Sequence, residues 1–311
     1  MRTHAFVQLA AASLALGAKL PLIKNLVTFG DSYSDVVNIW DGGVPWPRYV
    51  ASYANLTLYP FARSGATCSN NITYRPSPPV MESQIPDYQA ANLSASINQK
   101  ETLYTLWIGT NDVGIGSLIT GGAPGKTVVD TTRCAVNWVR VMYGLGARNF
   151  LFMNMIPLHL TPMYGVQGYP MKFWTTPHDP VSWALFMEEV TNAGNALGKY
   201  MLEDVAKELK GAHVGLFDAY SLFEAMWTTP EKYLNGTVPY NVTGSITSCV
   251  YEPNGGPVGG ACPPPISDPA AKDSYLWWDE LHPSEQADRI IAREIVRSIR
   301  PSGSTWTTWL S

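Results

Sequence analysis

The chain has 311 residues, 46% hydrophobic and 15% charged, a balance that supports a packed core and excludes global disorder. Its 25 acidic and 21 basic residues leave a formal charge of −4, with no Lys/Arg cluster placed to follow a phosphate backbone, so a nucleic-acid partner is not expected. The four cysteines, Cys68, Cys134, Cys249 and Cys262, show no CxxC or HxxxH spacing, so two disulfides are expected and a metal centre is not.

Arg2 and His4 precede an apolar run from Ala5 to Leu16, and the small residues Ala15 and Gly17 suit a cleavage site. Residues 1–17 are therefore expected to be a secretory leader, with an uncleaved anchor or a buried helix as the alternatives. The run is shorter than the roughly 20 residues that span a bilayer, and no later segment reads as a membrane span. Five glycosylation sequons, at Asn55, Asn71, Asn92, Asn235 and Asn241, agree with an extracellular location.

Next in the chain come five short apolar runs: Leu26–Phe29, Leu56–Phe61, Thr102–Ile108, Asn149–Ile156 and His213–Phe217. Each has the length of a buried strand. Helical periodicity fills the intervals, with the clearest examples at Thr127–Leu145, Trp183–Leu209 and Pro283–Ile299. Strands alternating with helices predict an α/β fold with a parallel sheet covered on both faces. No repeat or linker divides residues 18–311, which read as a single domain. The Pro- and Gly-rich stretch near 228–273 is too long for a plain connection and reads as a surface insertion pinned by a disulfide. Cys249 and Cys262 are close together inside it and are expected to pair, which leaves Cys68 for Cys134.

Four polar stretches carry the chemistry. Phe29-Gly30-Asp31-Ser32-Tyr33-Ser34-Asp35 places Ser32 two residues beyond a strand end, at the carboxyl edge where open α/β sheets keep their sites. A helix is expected to follow and to offer its free N–H groups to a developing negative charge, although Ser and Asp are also favoured helix caps. Asp279-Glu280-Leu281-His282-Pro283 supplies a histidine base and, three residues earlier, a carboxylate that can orient it. Pro283 suits the first position of the helix that follows. Gly109-Thr110-Asn111-Asp112 offers the Asn111 amide as an oxyanion donor, and Ala62-Arg63-Ser64-Gly65-Ala66-Thr67 offers the Gly65 N–H. Each of the last two also reads as an ordinary turn.

Together, FGDSYSD, ARSGAT, IGTND and DELHP resemble the four sequence blocks of the GDSL/SGNH hydrolases, in that family's order and over essentially the whole mature chain. The resemblance implies Ser32 as nucleophile and His282 with Asp279 as base and orienter. It implies an oxyanion hole of the Ser32 N–H, the Gly65 N–H and the Asn111 amide. It also implies a flavodoxin-like three-layer α/β/α sandwich on a five-stranded parallel sheet, and no cofactor. GDSY stands where the family's name has GDSL. The leader, the sequons and Trp-rich loops make the chain similar to the fungal secreted acetylesterases acting on plant-polysaccharide fragments. The substrate expected is therefore a small-molecule or oligosaccharide ester, handled by a secreted monomer with no membrane partner. Trp277 and Trp278 directly precede Asp279, and one of them is expected to form a wall of the sugar subsite while the other packs inward. Two rival readings are a secreted lipase or phospholipase of the same fold, and an inactive carbohydrate-binding protein.

Overall fold

The structure is a computed structural model that describes residues 20–311; the expected leader, residues 1–17, lies outside the described residues. Five parallel strands form the centre: β1 (Asn25–Gly30), β2 (Thr57–Pro60), β3 (Thr102–Trp107), β4 (Asn149–Met153) and β5 (His213–Phe217). They lie in the order β2-β1-β3-β4-β5, the flavodoxin-like order with its switch point between β1 and β3. Every residue of β3 and β4 is buried, as a strand covered on both faces requires.

Alternation of side chains along the strands produces two cores. One face carries Leu26, Leu103, Leu151, Met153 and Phe217. It packs against three helices: α1 (Trp46–Ala54), then, past the longer α2 (Val128–Gly144) and α3 (Pro180–Glu208), α4 (Ala219–Thr228) and α5 (Glu285–Ser298). The opposite face carries Val27, Tyr104, Leu106, Phe150 and Val214 against Val136, Trp138 and Val139 of α2 and Leu202 and Val205 of α3. Helix on sheet on helix is the three-layer sandwich expected.

Three features depart from the expectation. The sheet has a sixth strand among the described residues. The small strand β6 (Asn241–Ser245) pairs in parallel with β7 (Tyr275–Trp277), outside the main sheet, while β8 (Thr307–Trp309) runs antiparallel along β5 and closes its open edge. With only three residues, β8 has too short a pattern to stand out in a sequence. Second, the insertion pinned by Cys249–Cys262 carries a strand of its own, β6, which the sequence did not single out. Just after β6, Ile246 N and Thr247 N donate to the carbonyls of Trp277 and Trp278 at 3.2 and 2.9 Å. Third, helix starts shift to where capping chemistry puts them. α3 opens at Pro180 behind Asp179, whose carboxylate accepts from Val181 N at 3.1 Å. α5 opens at Glu285 behind Ser284, leaving Pro283 before the helix, bridged to Trp277. The disulfides join Cys68 to Cys134 and Cys249 to Cys262. Among the described residues no helix is long and apolar enough to cross a membrane, and no cluster of His, Cys, Asp or Glu could hold a metal.

Candidate active site

β1 ends at Gly30, whose φ of +146° is open to glycine and strained for other residues. A Cβ there would lie 2.2 Å from the carbonyl oxygen of Trp107 on the neighbouring strand, so close pairing of β1 with β3 demands the glycine. The chain then turns, with Ser34 N donating to Asp31 O at 3.1 Å and Tyr33 N to Asp31 Oδ1 at 3.1 Å. No helix follows directly: residues 31–34 form an isolated turn, and α1 begins only at Trp46. The expected helix N-terminus behind Ser32 is thus absent, because Asp31 and Asp35 satisfy these amides locally. Asp35 Oδ1 takes Val37 N and Asn38 N at 2.8 and 3.1 Å, a competition that favours turns over helix.

Ser32 faces the Asp279–Pro283 turn across the sheet edge. Its Oγ lies 2.9 Å from His282 Nε2, and His282 Nδ1 lies 2.9 Å from Asp279 Oδ1. Exposure is 7% for Ser32, 3% for His282 and nil for Asp279, so these hydrogen bonds are shielded from water. Asp279 Oδ1 also accepts the N–H groups of Leu281 and His282 at 2.9 and 2.8 Å, which curls the turn so that the ring meets its own carboxylate. Burial alone would raise the Asp279 carboxyl, but contact with His282 and with Lys172 outweighs it and holds the group well below the usual carboxylate range. An ionised carboxylate only accepts, so Nδ1 carries the imidazole proton and Nε2 is free to accept from Ser32.

Asn111 and Gly65 reach the same edge from β3 and β2. Asn111 sits 7% exposed in the short helical turn Thr110–Val113, and its Nδ2 donates to Ala66 O at 2.9 Å, tying the two blocks together. Gly65 has φ +79°, and a Cβ there would strike Ser77 Oγ at 2.3 Å. Ser64, beside it, donates both its N–H and its hydroxyl to Asp35 Oδ2, at 2.8 and 2.9 Å, so this loop is bound to the Ser32 loop. Among the described residues, neither the Ser32 N–H nor the Gly65 N–H donates to another group of the protein.

Of the two tryptophans, one expected at the sugar subsite and the other in the core, Trp277 takes the core position and neither stacks on the His282 ring. Trp277 is wholly buried, stacked on Phe223 with ring centroids 5.6 Å apart, and its Nε1 donates to Val242 O at 2.8 Å. Trp278 is half-buried and covers Gly42, at the rim of a cleft shared with Lys272 and Arg289 that contains none of Ser32, His282 and Asp279. Extended backbone does send the pair to opposite sides, but pairing of β7 with β6 puts one side in the core and the other over Gly42. The aromatic faces at His282 are instead Trp40, stacked at 5.6 Å, Phe173 at 5.7 Å and Tyr33, edge-on at 5.8 Å.

Four further contacts escape the sequence reading. Tyr33 Oη donates to Leu281 O at 3.0 Å and so joins the Ser32 loop to the His282 turn, which accounts for tyrosine where the family motif has leucine. The Gln84 amide clamps Gly30, donating to its carbonyl at 2.8 Å and accepting its N–H at 3.0 Å. Asp112 accepts from Cys68 N at 3.1 Å and Thr73 Oγ1 at 2.8 Å, and burial pushes it up to about 6. Lys172 donates to Asp279 Oδ2 at 2.7 Å. Tyr33 and Asp112 lie inside the FGDSYSD and IGTND blocks, while Gln84 and Lys172 carry no local signal.

Such an arrangement can pass a proton from a hydroxyl to an imidazole next to unengaged N–H donors, the requirement of acyl transfer. An acetylesterase of Hypocrea jecorina is 30% identical to this chain over 92% of this chain and 92% of its own length. A second acetylesterase, from Thermothelomyces thermophilus, is 24% identical over 88% and 87%. Among solved structures, a catalytic mutant of an acetylxylan esterase from Geobacillus stearothermophilus aligns with a TM-score of 0.48 at 16% identity, covering 93% of this chain and 98% of that one. The GDSL-like lipase/acylhydrolase family matches residues 26–295, from the second residue of β1 to near the end of α5. The chain therefore belongs to the GDSL-like lipase/acylhydrolase family and is a carboxylic ester hydrolase.

Proposed function

We propose that this chain is a secreted serine esterase that removes acetyl groups from acetylated plant-polysaccharide fragments, with Ser32, His282 and Asp279 as its catalytic triad. The observation that carries the reading is the unbroken pair of 2.9 Å contacts from Ser32 through His282 to a fully buried Asp279. His282 Nε2 takes the Ser32 proton as Oγ attacks the ester carbonyl. The oxyanion rests on the Ser32 N–H, the Gly65 N–H and the Asn111 amide. His282 gives the proton to the leaving sugar oxygen; water, ceding a proton to the same nitrogen, then attacks the acyl-enzyme, and that proton passes to Ser32 Oγ as acetate departs. Every proton and electron pair stays on these residues, the substrate and water, so the cycle calls for no cofactor.

Acetyl specificity is supported by the two related acetylesterases. A wide apolar cleft bounded by Val166, Val181, Leu185 and Val250 includes none of Ser32, His282 and Asp279. Trp40, 40% exposed beside His282, and Phe173 present aromatic faces suited to the C–H face of a pyranose. Two disulfides agree with an oxidising compartment.

The test is acetate release from acetylated xylo-, manno- and cello-oligosaccharides, run beside triglycerides, for wild type and Ser32→Ala. Release from oligosaccharides that falls on the order of 10⁴-fold or more in the variant is expected, because triad members act as a unit. Retention of a tenth of wild-type turnover by Ser32→Ala would refute the nucleophile. A preference for long-chain triglycerides would refute the substrate.

A further inference from the structure

We propose that Lys172 is a positioning residue of the triad: its ammonium engages the second oxygen of Asp279 and shares that negative charge, so that His282 remains available as a base in acidic medium. This inference rests on the triad reading.

Lys172 and Phe173 form the tip of a tight hairpin, closed by Met171 N to Trp174 O at 3.0 Å and Trp174 N to Met171 O at 2.9 Å. The insertion braces both arms, through Tyr251 N to Pro170 O and Asn254 N to Thr175 O, each 2.8 Å. The hairpin thus delivers one cation and one aromatic ring to the catalytic edge. Asp279 has no exposed surface, and its Oδ1 already accepts three N–H groups. Oδ2 has Lys172 Nζ at 2.7 Å as its donor. The same ammonium lies 4.6 Å from the ring centroid of Phe173 and 5.5 Å from that of Trp40. Among the described residues, no other Lys or Arg forms a hydrogen bond or salt bridge with Ser32, His282 or Asp279.

The charge has a definite sign of effect. A carboxylate facing imidazole alone favours the protonated ring, and a neighbouring cation disfavours it. With Lys172 in place, the Asp279 charge that faces His282 is shared with an ammonium at 2.7 Å. The other titratable groups around this pair add little opposing charge in acid. Glu280, whose Oε1 takes Cys249 N at 2.7 Å and the Tyr169 hydroxyl at 3.3 Å, has its carboxyl pushed up by burial. Burial also pushes Asp41 well up and keeps the Tyr33 and Tyr169 hydroxyls protonated.

The test compares kcat/KM against pH for wild type, Lys172→Met, Lys172→Gln and Lys172→Arg in the full chain, with nitrophenyl acetate so that no sugar contact intervenes. In Met and Gln the acid limb should move up by about one pH unit, so that activity relative to plateau falls about tenfold on that limb. Arg should keep the wild-type limb. A merely structural role would lower activity equally at every pH. If Met fails to fold, Gln, which can still donate to Asp279, carries the comparison. Acid limbs that coincide for wild type, Met and Gln would overturn the inference. Ser32→Ala, assayed in parallel, separates the two claims. If it is inactive while the limbs coincide, only the Lys172 proposal fails; if it is active, the triad reading fails first.

Discussion

Replacing Trp277 by Ala separates packing from substrate contact at one of the two positions between which the sequence leaves the sugar platform open. The indole has no exposed surface, lies against Phe223 at an interplanar angle of 25°, and donates to Val242 O. Truncating such a side chain costs about 3–5 kcal/mol, and the stranded Val242 carbonyl adds roughly 1 kcal/mol. At roughly 2–4 °C per kcal/mol for domains approaching this size, the melting temperature should fall by roughly 10 °C or more. Activity measured well below that temperature should keep the wild-type ratio between an acetylated oligosaccharide and nitrophenyl acetate. Trp40→Ala should do the reverse, because its ring is 40% exposed and stacked over His282. Loss of an aromatic contact worth roughly 0.5–1.5 kcal/mol should lower the oligosaccharide rate about 2–10-fold more than that of the nitrophenyl ester. The assays are differential scanning calorimetry and paired kcat/KM measurements. A Trp277→Ala protein that melts like wild type but loses its sugar-ester preference would refute this assignment of the two rings.

Other outcomes follow from the same structure. Asn111→Ala should lower kcat about 10²–10³-fold with little change in KM, because the donor serves the transition state; an effect on KM alone would make the amide a ground-state contact. Burial pushes Asp31 up to about 7 and Asp112 up to about 6. Both fold best as neutral acids, so their stabilisation is full below the ordinary Asp range and is lost as pH rises through 6–7. For Asp31 the rise corresponds to about 4 kcal/mol at most. Melting temperature should therefore decline from pH 5 to pH 8, and a steady increase over that window would contradict the burial argument. Removing the Cys249–Cys262 bridge, which spans 13 positions, should cost about 3 kcal/mol, and removing Cys68–Cys134, which spans 66, about 4 kcal/mol in the chain-entropy model. Chemical denaturation of the two Cys→Ser pairs checks both the size and the order.

Much of the candidate site is legible in the sequence because its signals are local. Gly30 and Gly109 sit at strand ends with φ of +146° and +131°, where other residues are strained, and glycine in the sequence marks them. The Asp279–His282 contact closes within a single turn of chain, so a three-residue spacing is enough to suggest it. Apolar runs of strand length alternating with helical periodicity led to the parallel sheet by the same kind of short-range reasoning. Local pattern is thin at β8, which has three residues, and after Ser32, where side-chain caps from Asp31 and Asp35 replace the expected helix.

What the amino-acid sequence determined by itself was the order of the strands along the chain, the polar blocks that follow them, and the pairing of an aspartate with a histidine three residues on. All of these depend on neighbours within a few positions. Tertiary structure alone decided which aromatic faces line the site, since Phe173 and Trp40 meet His282 from opposite parts of the chain while the adjacent Trp277 turns into the core. It also decided that Lys172, 107 positions from Asp279, would share that carboxylate, that Tyr33 would brace Leu281 across 248 positions, and that Gln84 would clamp Gly30 across 54. Such contacts leave no periodicity or spacing in a sequence. They exist only because packing two layers of helix on one sheet brings distant loops to the same carboxyl edge.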